Sequence, residues 1–75
     1  MSRLSPRELD VLRAAAQGLS RRQTAEQLRI GRSAVKRALL AAVERLGAAS
    51  LPHAVALAMA RQLIKASDIP SRPAP

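Results

Sequence analysis

The side chains able to do chemistry in this chain are cations and hydroxyls, crowded into one stretch: Ser20, Arg21, Arg22, Arg29, Arg32, Ser33, Lys36 and Arg37. A guanidinium presents a fixed fork of donors that matches phosphate oxygens and the guanine edge, so a cluster dominated by arginine points to a polyanion, and to nucleic acid first. Catalysis has no comparable constellation. There is no cysteine and one histidine, His53, so no thiolate or histidine metal site can be assembled. Glu8 and Asp10 fall in the first turn of a predicted helix, where the helix dipole favours carboxylates, and do not read as a catalytic pair. No nucleophile with its base and orienting group can be put together, and there is no phosphate-binding glycine loop or cofactor signature. Neither an enzyme nor a cofactor is expected. His53, beside Pro52 at a helix start, is expected to be structural or solvent-facing.

The cations need a scaffold, and the chain is short for one. Its 75 residues allow a single domain, with no aromatic residue, so the core must be closely packed small aliphatics. Thirteen Lys and Arg against five Asp and Glu give a net charge of +8, which reinforces the polyanion reading. The polar N-terminus runs straight into a helix cap, with no secretory signal, and a cytoplasmic location is expected. No apolar run approaches the roughly 20 residues that span a bilayer. A basic membrane-surface helix also fits poorly, because the cations lie on the second and third predicted helices and the most apolar helix is the fourth. No membrane partner is expected.

The helices are marked by their ends. Ser5-Pro6-Arg7-Glu8 is a capping box with proline at the first helical position, and Leu4 is placed as a hydrophobic staple. Leu9, Leu12 and Ala16, widened by Val11 and Ala15, form the apolar stripe of a helix over about 6–17, closed by Gly18 as a left-handed cap. Ser20 to Gln23 repeats the capping box and opens a short helix, about 21–28, with Ala25 and Leu28 inward and Thr24 beside them. Arg29-Ile30-Gly31 is the turn, with Gly31 expected to take its unusual backbone angles. A third helix over about 32–46 turns Val35, Leu39, Ala42, Val43 and Leu46 inward. Its other face carries Arg32, Ser33, Lys36, Arg37 and Leu40, with Glu44 further on, and Gly47 closes it. Ser50-Leu51-Pro52 opens a fourth helix, about 51–65, whose run from Ala54 to Ala60 is apolar on every side. A small domain cannot cover such a helix completely, so this helix is expected to meet a second copy of the chain through Val55, Ala58, Met59 and Gln62. Residues 1–66 thus form the domain, and 67–75, with three prolines, are expected to be a disordered tail.

Short helix, tight turn and longer cationic helix together make a helix-turn-helix, a device for placing side chains in the DNA major groove. At this point the chain resembles the LuxR/GerE-type helix-turn-helix domain. The matching residues are Leu4-Ser5-Pro6-Arg7-Glu8, Val11-Leu12, Ala16, Gly18, Ser20, Ala25, Leu28, Ile30, Val35-Lys36, Leu39, Leu46-Gly47 and Ala54-Val55, covering residues 4 to about 60.

The resemblance implies an all-α four-helix fold and a transcriptional regulator that binds double-stranded DNA. The third helix then enters the major groove, and the fourth forms a homodimer contact. Carried onto this chain, it puts Lys36, Arg37 and Leu40 toward the bases, and Ser20, Arg21, Arg22, Arg32 and Ser33 near phosphates. Leu40 stands where a polar or basic residue is frequent, so a base contact there would be apolar. Ala38 and Ala34 replace a frequent His and Thr, removing polar groups expected near the DNA backbone. Arg29 replaces a frequent Gly in the turn, and Thr24 a frequent Ile in the core. The promoter-reading region of sigma factors shares the run Ser33 to Arg37, but Leu46-Gly47 and the helix at Ala54-Val55 favour LuxR/GerE. An alternative of another class is a helix-turn-helix that docks on RNA polymerase or another regulator.

Overall fold

The computed structural model describes residues 3–70. Among them are four α-helices and no strand: α1 (Pro6–Ala16), α2 (Arg21–Leu28), α3 (Arg32–Arg45) and α4 (Leu51–Ala60), followed by a single 3-10 turn, Ala66–Asp68. The fold is all-α, as the sequence predicts.

Helix starts follow the capping grammar. At Ser5 the hydroxyl accepts from the Glu8 amide at 3.1 Å while the Glu8 carboxylate accepts from the Ser5 amide at 2.9 Å. Ser20 and Gln23 make the same reciprocal pair at 2.8 and 3.1 Å. At α4 the Ser50 hydroxyl accepts from the His53 amide, and His53 Nδ1 accepts from the Ala49 amide at 2.9 Å. His53 is therefore a second cap on α4, a structural role.

Helix ends are decided by four residues in the left-handed region: Gly18 (φ 87°), Arg29 (φ 56°), Gly47 (φ 67°) and Gln62 (φ 60°). After each, an amide reaches back five residues, from Leu19 to the Ala14 carbonyl, Ile30 to Ala25, Ala48 to Val43 and Leu63 to Ala58. The two glycines sit where the sequence places the stops. Two expectations change. Gly31 has ordinary extended angles (φ −72°, ψ 154°) and is the N-cap of α3, and the left-handed corner of the turn belongs to Arg29. The fourth helix stops at Ala60 rather than near residue 65, because Gln62 turns the chain.

That turn has a packing cause. It swings Ile64 back into the core, where it is wholly buried. The following residues then close on α1: the Gln17 side-chain amide donates to the Asp68 carbonyl at 2.9 Å, and the Arg13 Nε lies 3.6 Å from the Asp68 carboxylate. Residues 67–70, expected to begin a disordered tail, are thus described as a segment anchored on α1, and 71–75 lie outside the described residues.

A side chain with a Cβ is strained in the left-handed region, and Arg29 is exposed, so its side chain offsets little of that cost. Arg29→Gly is expected to raise stability by about 0.5–1 kcal/mol, a Tm gain of a few degrees by thermal unfolding. A lower Tm would mean that the arginine side chain holds the turn.

Two buried clusters divide the work. Val11, Ala25, Val35, Ala38 and Leu39 tie α2 and α3 to α1. Leu12, Ala42, Leu46, Ala54, Ala58 and Ile64 tie α4 and the segment after it to α1 and α3. Half-buried Leu51 packs on both. The buried Thr24 hydroxyl donates to the Ser20 carbonyl at 2.8 Å, which removes the penalty of a polar group where an aliphatic would fit.

Candidate nucleic-acid interface

α3 is held from behind and open in front. Val35, Ala38, Leu39, Ala42 and Leu46 are buried, whereas Arg32, Ser33, Lys36, Arg37, Leu40 and Glu44 are exposed. At about 100° per residue, Lys36, Leu40 and Arg37 form the middle of the exposed face. Ala38 does not look outward: it is buried between Val11, Ala25, Val35 and Leu39, so its methyl fills the core rather than leaving a gap near a ligand. Ala34 is half-buried.

The amino ends of α2 and α3 converge. Ser20, Arg21, Arg22, Arg32, Ser33 and Lys36 line one cleft of about 510 Å³. The structure therefore brings together all five residues expected near phosphates, with Lys36 at the edge. No side chain caps α3, because its N-cap is Gly31. The first-turn amides of α3 are thus left without a side-chain acceptor, and the positive end of the helix dipole opens beside Arg32 and Ser33. Arg22 is in a loose, exposed ion pair with Glu26 at 3.8 Å, which holds it weakly.

Beyond the cleft, α3 and the start of α4 enclose a notch of about 290 Å³ lined by Arg21, Lys36, Leu39, Leu40, Val43, Ala49, Ser50 and Leu51. Leu40, at its edge, is 59% exposed.

The face of α4 is less open than its apolar sequence suggests. Ala54 and Ala58 are wholly buried in the chain's own core. Ala58 was expected at a contact with a second copy, but the chain itself leaves it no surface to offer. Gln62 lies past the end of the helix, in the left-handed turn. Val55 and Met59 are half-buried, and Pro52, His53, Ala56 and Ala60 are exposed.

The residue that sequence reading missed is Arg45. Its Nε lies 3.1 and 3.2 Å from the two carboxylate oxygens of Glu8, which is only 8% exposed. The pair ties the end of α3, the helix that carries the exposed cations, to the start of α1. The sequence carries the two charges 37 positions apart with no local pattern linking them.

Comparison with known proteins decides the family. The model for bacterial regulatory proteins of the luxR family, GerE, matches residues 2–58. The chain belongs to this family. A similar relative is the transcriptional activator protein BjaR1 of Bradyrhizobium diazoefficiens, 40% identical over 63 residues that cover 84% of this chain and 26% of the relative. The chain thus spans about a quarter of that relative's length. No solved structure matches the chain. As a luxR-family helix-turn-helix it is a DNA-binding domain of the transcription-regulator type, and the family is not one of enzymes. Among the described residues no helix is long and apolar enough to cross a membrane.

Proposed function

We propose that the domain regulates transcription by reading a specific duplex sequence with α3 in the major groove. Lys36 and Arg37 meet base edges, with Leu40 between them as an apolar contact. Ser20, Arg21, Arg22, Arg32 and Ser33 hold the flanking phosphates in the cleft, helped by the uncapped amides of α3. The observation that carries this reading is the arrangement of one helix: it is buried on its aliphatic face and exposed on its cationic face, and it begins at an uncapped end inside a cleft of arginines. Phosphate contacts of this kind position a protein, and base contacts specify the site.

A homodimer through α4 completes the reading, with Val55 and Met59 at the contact and Gln62 at its margin. The support is the partial exposure of these apolar side chains next to exposed Ala56 and Ala60. The similarity to a protein named a transcriptional activator supports regulation of transcription. RNA polymerase or another regulator is the further partner of this proposal.

Selection from random duplex oligonucleotides with the purified chain tests this. The expected outcome is one enriched site, palindromic with half-sites about 34–36 Å apart if two copies bind. Arg37→Ala is expected to weaken binding to that site by about 1–3 kcal/mol while leaving binding to random DNA nearly unchanged. An equal loss on both DNAs would move Arg37 to the phosphates. No enrichment, together with a tight protein ligand, would favour the docking module.

A further inference from the structure

We infer that Leu40 selects a pyrimidine carrying a C5 methyl group in the middle of the recognised half-site. The inference rests on the reading of α3 given above and names what its central side chain recognises.

Two large aliphatic side chains are exposed among the described residues, Leu40 at 59% and Leu63 at 37%. Leu63 follows α4, away from the cationic face, whereas Leu40 lies on it. Four residues along a helix amount to about 40° of rotation and three to about 60° the other way, so Leu40 projects between Lys36 and Arg37, one turn further on. A leucine so placed is pressed against whatever the two cations bind. It does not stand alone, because the apolar surface continues from Leu40 into the notch through Leu39, Val43 and Leu51.

In the major groove, the edges of base pairs offer ring nitrogens, carbonyl oxygens, amino groups and one apolar group, the pyrimidine C5 methyl. Against the polar groups a leucine removes water and returns no hydrogen bond, which disfavours those bases. Against the methyl it buries apolar surface on both partners. Thymine carries that methyl, and so does 5-methylcytosine. Cytosine and uracil do not. The recognised chemistry is therefore the C5-methyl pyrimidine, and binding should respond to a single methyl group with every Watson–Crick pair kept.

The test starts from the site selected with the purified chain. Each thymine is replaced singly by deoxyuridine, and affinities are titrated for the native chain and for Leu40→Ala. Leu40 is exposed and alanine is the best helix former, so the variant folds, which far-UV circular dichroism checks. At one thymine in each half-site, loss of the methyl is expected to weaken native binding about fourfold, the effect of burying one methyl-sized group. Leu40→Ala is expected to bind the thymine and uracil duplexes alike. At the same position, 5-methylcytosine paired with guanine should exceed cytosine by the same factor if the methyl alone is read. Equal binding of cytosine and 5-methylcytosine there would overturn the inference that the methyl is the recognised group. The inference is overturned if no uracil substitution affects the native chain, or if Leu40→Ala is as sensitive as the native chain. A native chain that enriches no site would refute the underlying reading of α3 itself, a result distinct from either of these.

Discussion

Raising the salt concentration from about 50 to 200 mM is expected to weaken binding of a two-copy complex to its site by roughly 2,000-fold. The magnitude follows from the cleft. Each copy carries Arg21, Arg22 and Arg32 around one concavity, at the uncapped start of α3. Two copies would bring six cations to phosphates, and each neutralised phosphate releases condensed counterions, so the double-logarithmic slope would be about −5.4. A single copy would give a slope of about −2.7 and a loss of roughly 40-fold over the same range. The titration therefore reports stoichiometry as well as electrostatics. Arg32→Gln removes one cation per copy and is expected to make the slope shallower by about 1 for each copy bound. The Arg22–Glu26 pair does not alter this expectation, because both side chains are largely exposed and such pairs contribute a few tenths of a kcal/mol. A slope near zero, or one that Arg32→Gln leaves unchanged, would show that the cleft does not face phosphates.

Glu8→Ala is expected to destabilise the domain by about 2–3 kcal/mol, a fall in Tm of roughly 10–20 °C for a chain of this size. Three effects add. The N-terminal capping box loses its returning hydrogen bond to the Ser5 amide, which costs about 1 kcal/mol. The first turn loses a negative charge at the positive end of α1, roughly 0.3–1 kcal/mol. The ion pair with Arg45 is lost as well. It contributes about 1 kcal/mol, because Arg45 is half-exposed and regains water when its partner leaves. Glu8→Gln separates these terms, since glutamine keeps the capping geometry and removes the charge. It should cost about two-thirds as much as the alanine variant. Far-UV circular dichroism during heating measures both. Equal losses for the two variants would place the whole effect in the charge, that is in the helix dipole and the ion pair together, and a loss near zero for Glu8→Ala would make both contacts decorative. Because this pair joins the end of α3 to the start of α1, Glu8→Gln should also weaken specific DNA binding modestly at temperatures where the domain remains folded.

The origin of the fold shows which signals are local. Starts of helices were legible because capping is a short-range bargain between neighbours: a serine hydroxyl and a residue three places on satisfy each other's amides, whatever the rest of the chain does. Ends were legible at Gly18 and Gly47, where the residue type announces its own backbone angles. They were misread at Arg29 and Gln62, which take the same left-handed conformation without a glycine. At Gln62 the turn delivers Ile64 into a pocket between α1, α3 and α4, and it lets Asp68 meet Arg13 and Gln17. A helix continued to residue 65 would keep its periodicity and leave Ile64 outside that pocket.

The candidate site divides the same way. The sequence by itself determined that the domain is a bundle of four helices, three of them opened by a serine cap. It also determined that Lys36, Arg37 and Leu40 share the exposed face of the third, since helical spacing decides which side chains are neighbours. Tertiary structure alone decided three things. It gathered the hydroxyls and arginines of two helix starts into one cleft. It turned Ala38 and Ala58 inward although their own helices have apolar residues on several sides. It paired Glu8 with Arg45 across 37 positions. The physical reason is common to all three. An alanine or a charge carries no local preference strong enough to choose its surroundings, so its place is set by which larger side chains fill the space between helices.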